Sequence, residues 1–503
     1  MKNRFCSRSF RFFYIAAVSL VFAALAIPYL TNNVWFDEAA TALLILPRGF
    51  FGAFTYYDAP NNHLLYSGLL SVWVKFVPPE KGPEIVLRLP SFLFSLGAAL
   101  VLLTGFRRRL IFEESLLAAL LLASSHVFLS FSCQIRGYAL TVFLSAVALS
   151  CFFRILQNPY GSAKLFGIYI ITGALSIGVL PTNILLFASL SLYALIHFNL
   201  VPKKIFSKNV IGALMFFIGP LLGFLFYVLI GDRLIQNMHF ADLISSFKHA
   251  AVLSAQIFYY LFKDLLFLLP FLIGGGILLF RGLFKDAGED EKKEFWMAAV
   301  FFLFPFVLVG ASRLTVFQRN LLVMLPAWFL GAVILLRRSV KFILRRFKRG
   351  NYKTVLKITA AAVVISAFIT EARLARAYRS DRQEKKEQDV YYQYYNSPKF
   401  LPGRTAAAIK NFQREKKMIV ITDESDLLSL KFYSIIREGP PVMFYRHIPL
   451  RVYERFKTDC DILLVSADSK GVENMLSFLE PRGETRRITL LKSSGFFSIY
   501  KKE

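Results

Sequence analysis

Long apolar runs separated by short charged segments dominate residues 1–373. A run of about 20 apolar residues is long enough to cross a bilayer as a helix. Runs that approach or reach this length lie near 11–30, 86–106, 114–131, 209–230, 295–311, 320–336 and 354–372. Together with apolar stretches between residues 138 and 200 and near 265–280, they predict about eleven transmembrane helices. The predicted fold class is therefore a polytopic α-helical membrane protein.

The placement of Lys and Arg predicts the orientation of these helices. Lys2, Arg4 and Arg8 precede the first run, the triplet 107–109 follows the second, and a strongly basic loop is predicted over residues 337–353. Because cytoplasmic segments are enriched in Lys and Arg, the N-terminus is expected in the cytoplasm and the C-terminus outside. The formal charge of +27 thus marks topology, and no nucleic acid is expected as a partner. The first run lacks a small-residue cleavage site, so we interpret it as an anchor.

The polarity changes near Glu371, which divides the chain into a membrane domain, residues 1–373, and a small extracytoplasmic domain, residues 374–503. Short apolar runs at 418–422 and 461–466 predict buried strands, and the alternating C-terminal residues predict a hairpin, so this domain should be α/β. A lid or a docking module is the simplest role for it. The run Gly274-Gly275-Gly276 lacks the residues of a phosphate loop, and close helix packing is predicted instead.

The first outer loop, residues 31–85, carries the most concentrated candidate chemistry. Asp37 and Glu38 follow the first span directly, and Asp58, Asn61 and His63 lie on a turn-rich stretch further along. Carboxylates are disfavoured in hydrocarbon, so the acidic pair should lie at the interface or in a polar cavity. Alternatively, the pair only begins an interfacial helix, where negative charge is favoured at the N-terminus.

Several arginines are predicted at outer ends of spans, where the positive-inside tendency disfavours them. With one tyrosine they form the second candidate set: Arg88, Arg136, Tyr138, Arg313 and Arg319. Each arginine alone could extend to the interface as an anchor. As a set they are better explained by a bound anion, and the phosphate of a membrane lipid is the obvious one.

Four segments resemble the lipid-linked-sugar glycosyltransferases of the C superfamily (GT-C), and specifically the protein O-mannosyltransferase and aminoarabinose-transferase-like group. The segments are WFDEA with PNNHLLYSGLL in the first outer loop, RLPSFLFSLGAALVLL at residues 88–103, SCQIRGYAL and VFQRNLLVMLPAWFL. The chain departs from the group at Leu64-Leu65, where one or two prolines are usual, and at Asn320, where tyrosine is usual.

The resemblance implies an inverting glycosyltransferase that uses a polyprenyl-phosphate sugar. It assigns the general base to Asp37, with Glu38 in support or in exchanged roles, and it implies that arginines hold the donor phosphate. Asp58, Asn61 and His63 join the arginines and Tyr138 as predicted substrate-binding residues. The acceptor would be lipid A, a surface glycan, a lipid or a protein, in the bacterial inner membrane. No cofactor is required, although His63 with Asp58 or Glu38 offers a weak metal site.

Three alternatives remain open at this point. One is a polymerase or ligase that joins whole oligosaccharides from polyprenyl diphosphate. The second is a lipid or sugar transporter, which usually places its polar groups near the midplane rather than at outer helix ends. The third is a structural anchor for the C-terminal domain, which leaves the outer arginines unexplained.

Overall fold

The structure is a computed structural model that describes most of the membrane part of the chain and short pieces of the C-terminal part. The described residues are 8–57, 62–79, 82–107, 109–158, 163–198, 208–236, 247–284, 289–312, 318–347, 350–379, 419–421, 429, 432, 443–445, 463–466, 488–494 and 497–502.

Helices make up nearly all of the described membrane part, and each apolar run found in the sequence forms one helix or two consecutive ones. In chain order they are α1 (Arg8–Leu30), α2 (Phe36–Ala40), α3 (Gly49–Ala53), α4 (Leu64–Phe76), α5 (Pro83–Gly105), α6 (Phe112–Ala123), α7 (His126–Ser132), α8 (Tyr138–Gln157), α9 (Ala163–Val179), α10 (Ile184–His197), α11 (Lys208–Gly223), α12 (Gly231–Gln236), α13 (Phe247–Phe262), α14 (Leu269–Phe284), α15 (Glu289–Ser312), α16 (Leu325–Phe347) and α17 (Tyr352–Arg379). A π turn covers Thr41–Ile45, and 3-10 turns cover Leu46–Arg48, Pro181–Asn183, Phe224–Ile230, Lys263–Leu268 and Gln318–Met324.

The chain forms two compact units. Unit 1 comprises Met1–Leu30, Phe50–Leu70 and Arg88–Glu371, and unit 2 comprises Thr31–Gly49, Ser71–Leu87 and Ala372–Glu503. Unit 2 thus includes parts of the first outer loop as well as the C-terminal residues. The division of the chain at residue 373 stays a prediction.

Among the described residues, seven helices are long and apolar enough to cross a membrane, or eight if α6 and α7 count as one bent span. Four shorter apolar helices add to these, Leu64–Phe76, Ala163–Val179, Pro181–His197 and Leu265–Arg281. The predicted fold class, a polytopic helical membrane protein, is confirmed, whereas the number of eleven spans stays a prediction.

Burial identifies the centre of unit 1. The apolar windows of Tyr138–Gln157 and Arg319–Phe347 are 83% and 89% buried, against 22% for Tyr352–Arg373. Trp328, fully buried on α16, donates its indole N–H to the carbonyl of Phe301 at 2.6 Å. Of the glycines of α14, Gly275 serves helix packing as predicted, because a Cβ there would run into the backbone of Leu335, whereas a Cβ at Gly276 would meet nothing within 4 Å.

Helix α16 corrects one sequence expectation. The basic loop predicted to begin at residue 337 is instead a continuation of this helix to Phe347. Arg, Lys and Leu favour helix, and two arginines are held by acids of α15 and α6. Arg337 pairs with Glu114 at 3.4 Å and with Glu294, and Arg338 pairs with Glu294 at 2.6 Å. Tyr352, at the start of α17, donates its hydroxyl to Glu114 at 2.7 Å, so this network joins four helices.

Unit 2 contains five strands among its described residues. β1 (Ile419–Ile421) pairs in parallel with β2 (Met443–Tyr445). β3 (Leu463–Ser466) and β4 (Ile488–Ser494) both pair antiparallel with β5 (Phe497–Lys502), with Leu464 opposite Tyr500. β1 and β3 lie where the two apolar runs predicted strands, and β4 with β5 where the hairpin was predicted. The α/β character of the C-terminal domain stays a prediction, because its amphipathic stretches fall outside the described residues.

Candidate active site

The acidic pair lies in unit 2, in the first turn of α2. Trp35 precedes this helix with extended backbone, and Glu38 is fully buried. The Oε2 atom of Glu38 accepts the backbone N–H of Trp35 at 3.3 Å, which satisfies a donor at the helix start. Asp37 is partly exposed, and Thr41 donates its hydroxyl to the Asp37 carbonyl at 3.1 Å. The two acids therefore differ: Glu38 is buried and caps its own helix, whereas the side chain of Asp37 is partly exposed.

The turn that carries Arg136 lies in unit 1, between α7 and α8, and is fixed by hydroxyl groups. Ser91 of α5 donates to the carbonyl of Gln134 at 2.6 Å, and the hydroxyl of Tyr66 lies 2.7 Å from Ser91 Oγ. Ser95, one turn further along α5, donates to the carbonyl of Ser132 at 3.1 Å. All three hydroxyls are buried, so they hold the turn without competition from water.

Arg136 is itself 3% exposed, and its guanidinium carbon lies 5.8 Å from the centroid of the Tyr138 ring. His63 packs edge-on against the same ring, with the centroids 4.7 Å apart and the planes at 78°. Gly137 permits this approach, because a Cβ there would lie 3.0 Å from His63 Nδ1 and would run into Val179. His63, Arg136 and Tyr138, predicted from distant parts of the sequence, are thus brought together.

The electrostatic potential around His63 is positive. Burial lowers the pKa of His63 well below its usual value, and the charges of Arg136 and Arg319 lower that pKa further. His63 is therefore a neutral imidazole at neutral pH, and its Nδ1 atom is buried with no hydrogen-bond partner among the described residues. Arg319 is the second residue of the 3-10 turn before α16 and is partly buried. Two guanidinium groups act on one buried side chain, an arrangement that favours an anion.

The other predicted site residues have different surroundings. Arg88 is 3% exposed and donates through one nitrogen to the carbonyls of Tyr29 and Leu30, both at 3.2 Å, at the end of α1. This contact is structural, and a substrate role for Arg88 stays a prediction. Asp58, Asn61 and Arg313 fall outside the described residues.

A metal site is not formed by the described part of the chain, where no group of three or more His, Cys, Asp or Glu side chains is placed to hold an ion. The weak site at His63 with Asp58 or Glu38 is not tested by this, since Asp58 lies outside the described residues. The expectation that the chain needs no cofactor likewise stays a prediction.

Two features near the predicted residues escaped the sequence analysis. Tyr57 is buried, and its pKa is raised by burial and lowered in part by the charge of Arg136, so its hydroxyl belongs to the same positive region. The second feature joins Tyr29, His126 and Glu371 across three helices. A signal for it was present, because His and Glu near the ends of apolar spans are costly unless they pair.

The chain is similar in fold to proteins of known structure, although no similar sequence was found. No protein-family model and no curated protein sequence matches the chain. Among solved structures, ArnT from Cupriavidus metallidurans in the apo state is 13% identical and superposes with a TM-score of 0.58 over 97% of this chain and 97% of ArnT. The chain has the ArnT fold. The same protein bound to undecaprenyl phosphate gives a TM-score of 0.56 over 99% of this chain and 98% of that one, again at 13% identity.

This similarity agrees with the predicted fold class, a polytopic helical membrane protein. An oligosaccharyltransferase from Archaeoglobus fulgidus in the apo form also matches, with 13% identity and a TM-score of 0.47 over 92% of this chain and 70% of that chain.

Proposed function

We propose that the chain is an inverting glycosyltransferase that moves a sugar from a polyprenyl-phosphate donor to an acceptor on the extracytoplasmic face of the membrane. The observation that carries the proposal is the buried positive region of unit 1, where Arg136 and Arg319 both act on His63. Guanidinium groups bind a lipid phosphate through charge-assisted, two-pronged hydrogen bonds, and such bonds are strong where water is excluded. The ArnT structure bound to undecaprenyl phosphate supports a donor of this class.

In the proposed reaction the acceptor hydroxyl or amine gives its proton to Asp37 while its lone pair attacks the anomeric carbon. The bond from that carbon to the phosphate oxygen breaks, and its electron pair leaves with polyprenyl phosphate. Attack from the opposite side inverts the anomeric configuration. Asp37 is favoured as the base because Glu38 is fully buried and its Oε2 accepts the Trp35 N–H, whereas Asp37 is partly exposed.

The arginines would act on the other side of the bond. Charge on the phosphate grows as the glycosidic bond breaks, and a guanidinium fixed beforehand stabilises that charge without reorganisation. The turn that carries Arg136 is already fixed by Ser91 and Tyr66, which agrees with such a preorganised role. Neutral His63 would donate or accept a hydrogen bond at the sugar or phosphate without adding a third positive charge.

The proposed setting is the bacterial inner membrane, with the N-terminus in the cytoplasm and the C-terminal domain outside. The acceptor class covers lipid A, a surface glycan, a lipid and a protein. Comparing lipid-linked sugars and envelope glycans with and without the gene identifies both substrates, because loss of the enzyme should remove one modification and cause its donor to accumulate. Accumulation of an oligosaccharide on polyprenyl diphosphate would instead indicate the polymerase or ligase alternative.

The test of the anion site is binding of undecaprenyl phosphate to purified, folded variants. Arg136→Ala should lower affinity by about two orders of magnitude, since hydrogen bonds to charged groups contribute about 1.5–3 kcal/mol each. Arg136→Lys should retain part of the affinity, because it keeps the charge but loses the planar two-pronged geometry.

Arg109→Ala is the matched control for this test. Arg109 is a partly buried arginine whose guanidinium carbon lies 4.4 Å from the Phe153 ring centroid, near the far end of α8 from Arg136. Its removal should leave binding unchanged. Equal binding by Arg136→Ala and the parent would reject the phosphate role of Arg136.

A further inference from the structure

A buried polar cluster joins the end of α1 to α7 and α17. Tyr29 donates its hydroxyl to Oε2 of Glu371 at 2.7 Å, and Nδ1 of His126 lies 2.9 Å from Oε1 of the same carboxylate. The Tyr29 hydroxyl also lies 3.3 Å from His126 Nδ1, so the three side chains close a triangle. Tyr29 is 9% exposed, His126 6% and the Glu371 side chain 21%.

The cluster joins residues that are far apart in sequence. Tyr29 and Glu371 are separated by 342 positions, and Tyr29 and His126 by 97. A carboxylate near the end of an apolar helix is costly unless it is paired, and here both of its oxygens have partners. Such an arrangement fixes the relative positions of three helices more tightly than apolar contacts, which tolerate sliding.

Tyr29 is held on its backbone as well as on its side chain. Arg88 donates to the carbonyls of Tyr29 and Leu30, both at 3.2 Å. Because Tyr29 is the last residue but one of α1, the point where the chain leaves this helix is fixed from two sides. Asp37 follows only eight positions later in the sequence.

We propose that Tyr29, His126 and Glu371 form a positioning clamp that fixes the end of α1 and thereby the start of the segment carrying Asp37. The inference rests on the proposed function for its catalytic consequence, a slower transfer step with nearly normal donor binding. Donor binding should be spared because the Arg136 turn has its own anchors in Ser91 and Ser95.

The chain provides a matched control on the same helix. Tyr352, at the start of α17, donates to Glu114 at 2.7 Å, which is also the distance of the Tyr29 to Glu371 bond in the C-terminal half of α17. Tyr352→Phe and Tyr29→Phe each remove one hydroxyl from a partly buried tyrosine–carboxylate pair. A purely structural contribution should therefore lower thermal stability comparably in both variants, while only Tyr29→Phe should alter catalysis.

The kinetic measurement uses the full-length protein in lipid or detergent. Tyr29→Phe and Glu371→Ala should lower kcat about tenfold with the donor KM within about twofold of the parent. Glu371→Gln should restore most of kcat, because its carbonyl oxygen accepts from Tyr29 and its amide donates to His126. Tyr352→Phe should leave kcat unchanged.

A second measurement does not depend on turnover. A spin label on Thr31→Cys, an exposed position directly after α1, reports the mobility of the segment start in a background with Cys6 and Cys460 replaced by serine. Mobility should increase in Tyr29→Phe and Glu371→Ala and stay at the parent level in Tyr352→Phe. If the parent protein itself transfers no sugar, the proposed function fails. The mobility of the spin label then still tests whether the three side chains fix the end of α1. Unchanged mobility in both clamp variants, or an equal loss of kcat in Tyr352→Phe, would overturn the clamp.

Discussion

Replacing Gly137 with alanine tests whether the placement of His63 matters to the proposed donor site. An added Cβ would lie 3.0 Å from His63 Nδ1 and 3.1 Å from His63 Cβ, and it would overlap Val179 Cγ1. The backbone at Gly137, with φ −72° and ψ 1°, is open to alanine, so the effect arises from crowding rather than from backbone strain. Either His63 or Val179 must move.

The size of the effect follows from how tightly this site is packed. Val179 is fully buried and His63 is 3% exposed, so neither side chain can swing into solvent. An extra methyl group in a well-packed core costs about 1–3 kcal/mol. If about 1.4 kcal/mol of that cost falls on the arrangement that binds the donor, affinity for undecaprenyl phosphate falls about tenfold.

Thermal unfolding and undecaprenyl phosphate binding, measured on the same detergent preparation, separate these two effects. Gly167→Ala is the control, since a Cβ there meets nothing within 4 Å and alanine should favour helix α9 by up to about 1 kcal/mol. Gly137→Ala should melt earlier and bind more weakly than the parent, whereas Gly167→Ala should do neither. If Gly137→Ala melts earlier but binds the lipid phosphate normally, crowding at Gly137 does not affect donor binding, and the expected coupling between this packing and the donor site is refuted.

Three further predictions address the base, the orientation and the electrostatics. Asp37→Asn should abolish turnover and leave donor binding intact, because it removes the proposed base. Glu38→Gln should mainly lower the melting temperature, because it weakens a helix cap. A larger loss of activity in Glu38→Gln than in Asp37→Asn would exchange the roles of the two acids. A reporter enzyme fused at Gly350 should be active only in the cytoplasm, and activity only outside would invert the proposed topology. Arg136→Ala should raise the pKa of His63 but leave it below its usual value, because burial is the larger cause of the shift. NMR titration of labelled histidine measures this pKa, and an unchanged value would show that the Arg136 charge does not act on His63.

Local sequence patterns were informative where one short segment suffices. The helix that begins at Phe36 with two acids in its first turn follows from the preference for negative charge at helix N-termini. The packing role of Gly275 is predicted by the absence of the residues that a phosphate loop needs. The extent of α16 is not predicted by its own pattern, because a basic run after an apolar span predicts a cytoplasmic loop, whereas two of those arginines have acidic partners on other helices.

Contacts between distant segments were beyond the sequence. The break between α6 and α7, a bend of 64°, falls inside one apolar run, and hydropathy carries no sign of the direction of a helix axis. The sequence does not show that Tyr57 lies near Arg136 or that Glu371 lies near Tyr29. Which apolar helices become neighbours is decided by the shapes of their surfaces, and hydropathy does not report those shapes.

The sequence by itself determined the membrane class, the order of the helices and the residue types that the proposed chemistry needs, because these depend on the length, polarity and charge of short segments. Only the tertiary structure decided that Arg136 and Arg319 act on one buried histidine, that Glu38 caps its own helix, and that Glu371 holds the end of α1. These arrangements arise when helices that look alike in hydropathy pack against particular neighbours, and that choice depends on the shapes of the whole bundle.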